Sequence, residues 1–141
     1  MIYKEWTDYY NSIHKQWRNE AGKLHREDGP AYICYHPNNI PMVEQFWFDD
    51  CLHREDGPAS IEYSTSGAII YHRYYIYGKK HRKDGPAVTW YNNDGSIDFE
   101  MFFIRNKLLG NDDEGFWALW CCLTEVERQH PNILKTLVRY S

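Results

Sequence analysis

The sequence predicts a mainly β fold: an antiparallel meander of 28-residue hairpin units with a C-terminal α-helical cap. Three observations carry this. The heptapeptide His25-Arg26-Glu27-Asp28-Gly29-Pro30-Ala31 returns as His53 to Ala59 and again as His81 to Ala87, at an offset of 28 both times. Between the heptapeptides lie paired runs of aromatic and β-branched residues separated by turn residues. After Asp112 the apolar spacing changes to that of a helix.

Each unit reads as two strands. The first follows Gly-Pro-Ala, as in Ala59 to Tyr63, and ends at Ser64-Thr65-Ser66-Gly67 or Asn92-Asn93-Asp94-Gly95, where glycine supplies positive φ. In the first unit Pro37-Asn38-Asn39-Ile40-Pro41 takes that place and predicts a looser loop. The second strand is longer, Ile69 to Tyr77 for example, and closes through Gly78-Lys79. A fourth unit starts at Lys107-Leu108 and decays into Leu109-Gly110-Asn111-Asp112. Ile13 to Gly22 reads as a degraded second half of an earlier one. Decay at both ends is what capping requires. The first ten residues fit a helical stripe or a frayed strand.

In the tail, Asp112-Asp113-Glu114 suits a helix start, and Phe116, Trp117, Leu119, Trp120, Leu123 and Val126 follow helical spacing. Pro131 opens a second helix with Ile133, Leu134, Leu137 and Val138 on its apolar side. The expected organisation is one domain: an N-terminal cap at 1–21, three units at 22–111 and a helical cap at 112–141.

Composition narrows the function. Sixteen Lys/Arg against twenty Asp/Glu give a net charge of −4, which argues against nucleic acid and anionic membranes. The longest apolar run, Phe116 to Leu123, is too short to span a bilayer, and the start lacks a signal-peptide core, so a cytoplasmic location is expected. Cys34, Cys51, Cys121 and Cys122 show no metal-ligand spacing and read as reduced, partly buried thiols.

The heptapeptide reads as structural. Its Asp is expected to accept from backbone N–H groups two residues on, its Gly to adopt positive φ, its Pro to fix φ, and its Arg to bridge to an Asp. Equivalent histidines stand about 9–10 Å apart if each unit adds two strands, too far to share a metal. A row of identical groups is also not the singular constellation catalysis needs. No enzyme activity, metal or cofactor is expected. Lys79-Lys80-His81-Arg82-Lys83 is the one basic cluster, a solvated loop or an anchor for an anionic partner.

The three heptapeptides, with Gly78-Lys79 and the Tyr35/Tyr63/Tyr91 column, resemble the H-R-E-D-G-P-A hairpin-repeat proteins, diverged relatives of MORN-type repeats met in giant viruses and bacteriophages. The resemblance covers Gly22 to Gly110. It implies a MORN-like, non-enzymatic binding scaffold of viral or phage origin, acting in the host cytoplasm.

The expected function is therefore protein binding, as an inhibitor of a host defence or regulatory protein. The alternatives are a sponge for a small nucleotide-like anion and an assembly protein that oligomerises through its sheet edges. Side-chain alternation puts Val43/Gln45/Trp47, Tyr71/Arg73/Tyr75 and Phe99/Met101/Phe103 on one sheet face, and Phe46/Phe48, Tyr74/Ile76 and Phe102/Ile104 on the other. The helices are expected to cover the second. Trp47, Arg73, Tyr75, Met101 and Phe103 are then the expected partner-binding residues, joined by Lys79, Lys80, Arg82 and Lys83.

Overall fold

A computed structural model describes residues 1–141. Thirteen strands precede two helices: β1 (Ile2–Thr7), β2 (Ile13–Arg18), β3 (Tyr32–Tyr35), β4 (Pro41–Gln45), β5 (Trp47–Phe48), β6 (Cys51–Leu52), β7 (Ser60–Tyr63), β8 (Ile69–Arg73), β9 (Tyr75–Ile76), β10 (Lys79–Lys80), β11 (Val88–Tyr91), β12 (Ile97–Ile104) and β13 (Lys107–Asn111), then α1 (Asp112–Cys122), a 3₁₀ turn (Glu127–Gln129) and α2 (Pro131–Tyr140). Nine strands form one antiparallel meander in the order β1-β2-β3-β4-β7-β8-β11-β12-β13. The short pairs β5–β6 and β9–β10 form separate two-stranded hairpins. No helix is long and apolar enough to cross a membrane.

The opening residues are strand, not helix. β1 pairs with β2 along its whole length, Ile2 opposite Arg18 and Thr7 opposite Ile13. Asp8 closes the turn by accepting from the N–H groups of Tyr10 and Ser12. The turn after β3 is no looser than its counterparts. His36 N–H bonds the Ile40 carbonyl at 2.8 Å, as Ser64 bonds Ala68 and Asn92 bonds Ser96. Asn39 takes the left-handed position (φ 67°) that Gly67 and Gly95 hold elsewhere, a conformation Asn tolerates.

The predicted long second strand divides in the first two units. After β8, Tyr74 turns its N–H to the Ala87 carbonyl at 2.7 Å and the chain leaves the main sheet as β9. Two positive-φ residues, Tyr77 and Gly78, then reverse it. The resulting hairpins are linked in series. Asp50 N–H bonds the Leu24 carbonyl, Gly78 bonds Leu52, and Asn106 bonds Lys80. Each heptapeptide histidine latches the following hairpin: Asp49, Tyr77 and Arg105 donate N–H to Nδ1 of His25, His53 and His81 at 3.3, 3.0 and 2.9 Å. That bond places the imidazole proton on Nε2.

The heptapeptide arginine has a fixed seat. Arg26, Arg54 and Arg82 each lay the guanidinium 4.0 Å above a ring, Trp17, Phe46 and Tyr74 in turn. Nε donates to the Asp two residues on, at 2.9, 3.1 and 2.7 Å. Nη1 donates to the carbonyl of the following Pro. The expected Arg–Asp bridge is therefore present within each unit. The expected backbone bond is not, because the residue two beyond the Asp is Pro and carries no N–H.

Glycine is used for a different reason than predicted. Gly29, Gly57 and Gly85 do not have positive φ. A Cβ at these positions would stand 3.1, 2.9 and 2.8 Å from the Arg Cζ, so the guanidinium is sandwiched between glycine and ring.

Two cores result. Phe102, Phe116, Leu119, Leu123 and Ile133 bury together where the helices meet the last strands. Ala87, Val88 and Phe103 form a smaller cluster with Tyr74, Trp90 and Met101 against it.

The sandwich predicts a coupled pair. Gly57→Ala should cost about 1–3 kcal/mol by overpacking, measured by urea denaturation, and that cost should largely vanish in an Arg54→Ala background. Equal costs in both backgrounds would show that glycine serves the backbone.

Candidate functional site

Strand register sorts the sheet into two faces. One carries the rows Gln45, Ser60, Arg73, Val88, Met101 and Val43, Glu62, Tyr71, Trp90, Phe99. The other carries Glu44, Ile61, His72, Thr89 and Glu100. The helices lie on the second face, as expected: Phe102 is fully buried beneath α1 and α2.

Their polar anchor is Glu100, only 1% exposed. Arg139 of α2 donates to both its carboxylate oxygens at 2.7 and 3.0 Å, and the Tyr140 hydroxyl donates at 2.5 Å. Burial and the Glu100 carboxylate push the Tyr140 hydroxyl pKa up. Beside them burial and the Arg82 charge push His72 down to about 4, against an opposing pull from Glu100.

The helix-free face is only partly what the sequence predicts. Tyr75 and Phe103 are 9% and 8% exposed, so neither is an open contact residue. Phe103 packs on Ala87 and Val88 in the smaller core. Lys80 lies over the Phe103 ring at 5.1 Å. Trp47 is half-buried, its Nε1 donating to Gln45 Oε1 at 3.1 Å. Met101 is half-buried against the smaller core. Arg73 is half-buried as well, with Nη1 donating to the Tyr75 hydroxyl and Nη2 to Ser60, while its Nε is buried without a partner.

The aromatic surface sits one row away. Tyr71 stacks on Trp90 at 4.3 Å and Trp90 on Phe99 at 5.9 Å, three half-buried rings in line across β8, β11 and β12. Arg73 approaches the Tyr71 ring at 5.1 Å. Trp90 is the residue that sequence reasoning missed. Its column, Cys34/Glu62/Trp90, varies between units, and that signal was available.

The basic cluster does not converge. Arg82 is held by Asp84 and Pro86, Lys83 Nζ bonds Glu127 at 3.1 Å, and Lys79 is exposed. Of the thiols, Cys34 is buried and Cys51 half-buried, whereas Cys121 and Cys122 are exposed on α1, contrary to the partly buried reading. Around Cys34, His14 bonds Asp8 and the Tyr32 hydroxyl, both at 2.8 Å. Burial pushes the thiol pKa up, and pushes Tyr32 up to about 12, which is the wrong direction for a nucleophile.

His72 gives a pH signature. Its ordinary value is 6.5, so between roughly pH 4 and 6.5 the unfolded chain binds a proton that the folded chain refuses. Stability therefore falls as pH falls through that window. The expected loss at pH 5 is about 1–2 kcal/mol, read as a lower urea midpoint, with a shallower fall in His72→Gln. Parallel falls in both proteins would place the titration elsewhere.

The sequence matches no protein-family model and no curated protein.

Proposed function

We propose that this chain is a non-enzymatic protein-binding scaffold, a MORN-like hairpin array that meets its partner through the helix-free sheet face. The observation that carries the reading is the Tyr71–Trp90–Phe99 stack with Arg73 beside it. Trp, Tyr and Arg are the residue types that dominate binding energy at interfaces. The recurring polar groups point the same way, because the heptapeptide Arg, Asp and His Nδ1 are engaged inside the chain. In the form the sequence resemblance implies, the activity is stoichiometric inhibition of a host protein.

The alternatives have less behind them. The residues expected to hold an anion are dispersed onto Asp84, Glu127 and Phe103. The main sheet has edges at β1 and β13, and at β1 a two-fold antiparallel pairing of copies centred on the strand sets Lys4 against Lys4 or Glu5 against Glu5.

Quantitative affinity capture from the host cell tests the reading. Trp90→Ala and Tyr71→Ala should weaken retention of the partner at least tenfold, while Val138→Ala, exposed on α2, should leave it unchanged. Denaturation midpoints of all three separate binding loss from unfolding. Unchanged retention in folded Trp90→Ala would remove the face from consideration.

A further inference from the structure

The three heptapeptide turns are alike in sequence but not in what touches them. At the third, the chain's own tail docks. Asn132 Nδ2 in the first turn of α2 donates to Asp84 Oδ2 at 3.2 Å, and His130 Nε2 stands 3.5 Å from the same oxygen. Lys83, next to Asp84, bonds Glu127 of the 3₁₀ turn. The Asp84 side chain is consequently 37% exposed, whereas Asp28 and Asp56 are 83% and 87% exposed.

The grooves between the turns show the same asymmetry. The groove between the second and third turns is lined at one end by Asn132 and holds about 270 Å³. Its counterpart between the first and second turns has no tail residue and holds about 650 Å³, floored by Phe46, Trp47 and Phe48 with Tyr77 at its side.

The heptapeptide differs between these places at one position only. Its third residue is Lys83 where the acidic Glu127 of the tail docks, and Glu27 or Glu55 where nothing docks. In the open groove Arg26 and Arg54 are each neutralised by their own Asp. Glu27 and Glu55 keep only distant contacts to His25 and His53, at 3.6 and 3.7 Å. Two cations face four carboxylates, so the groove carries a residual negative charge over an aromatic floor.

We infer that the groove between the first and second turns is a docking site for a partner-protein segment built like this chain's own tail but of opposite charge at one position. The occupant presents a helix start with an amide donor for Asp56, as Asn132 does for Asp84, and a Lys or Arg for Glu55 where the tail carries Glu127. The positive end of the helix dipole adds to the attraction for Asp56, and the cation pairs with an otherwise solvated carboxylate. This rests on the protein-binding reading and adds a second contact surface to it, with the chemistry of the partner specified.

Two synthetic peptides spanning residues 124–141 test it, one with the native Glu127 and one carrying Glu127→Lys. Each is titrated into the ¹⁵N-labelled intact chain. The Glu127→Lys peptide should shift the amides of residues 27–29 and 55–57, and its affinity should fall at least tenfold on Glu55→Lys. That variant places in the second turn the residue native to the third, so the fold tolerates it. Glu55→Gln should give an intermediate loss. On Glu55→Lys the native-sequence peptide should become the better ligand. Three results would each overturn the inference: no shift at either turn, shifts confined to Asp84 and Asn132 through displacement of the tail, or binding indifferent to residue 55. If the peptide fails while Trp90→Ala still releases the partner, only the groove assignment falls. If the peptide binds while no partner depends on Trp90, the helix-free face is the assignment that falls.

Discussion

The structure depends on a flat cation held between a ring and a glycine. A guanidinium satisfies its donors in its own plane and presents two faces that want neither water nor donors. The fold uses all of this at Arg26, Arg54 and Arg82: the ring lies below, glycine lies above, and the Asp carboxylate and Pro carbonyl sit at the edge. Ring and arginine belong to opposite ends of the stretch that leaves the main sheet as a hairpin and returns. The sandwich therefore closes each unit on itself. The histidine, whose Nδ1 receives an N–H from 24 residues downstream, then joins each unit to the next.

The same constraint explains both ends. For the first heptapeptide, Trp17 of β2 supplies the ring for Arg26, so the hairpin β1–β2 does there what Phe46 and Tyr74 do for Arg54 and Arg82. At the far end, the position 28 beyond Arg82 is Gly110. With no guanidinium to cover it, Phe102 receives Phe116 of α1, ring centroids 6.3 Å apart. Helix and strand approach so closely there that a Cβ on Gly115 would fall 2.3 Å from the Gly110 carbonyl oxygen. The decay of the fourth heptapeptide is the change that lets the helical cap in.

Much of this was legible in the sequence, since periodicity, turn glycines and helical spacing are local signals. What was not legible lies in contacts between units. The division of the second strand at Phe46 and Tyr74 follows from backbone bonds to Ala59 and Ala87, 13 residues away in each case. The role of the heptapeptide glycine depends on where an arginine three residues earlier folds back, which no spacing rule announces. Asn39 stands where the other units have glycine because Asn shares its left-handed tolerance, so the two flanking prolines, Pro37 and Pro41, do not loosen the turn.

Repetition and variation mark different things along this chain. Arg, Asp, Gly and the His Nδ1 recur because each has an internal partner, so the recurring chemistry is spent on the fold. The aromatic columns are less simple. Tyr75 and Phe103 share a column with Trp47 and are buried, Phe103 within the small core beside Ala87 and Val88. Trp90 stands in a column with Cys34 and Glu62, and there the side chain has no equivalent to match. Variation therefore accompanies a change in what each position touches: Cys34 is buried beside His14, whereas Trp90 stacks between Tyr71 and Phe99. The third heptapeptide residue follows the same logic: it changes sign, from Glu27 and Glu55 to Lys83, at the one turn where a charged neighbour is known, and that neighbour is the acidic Glu127.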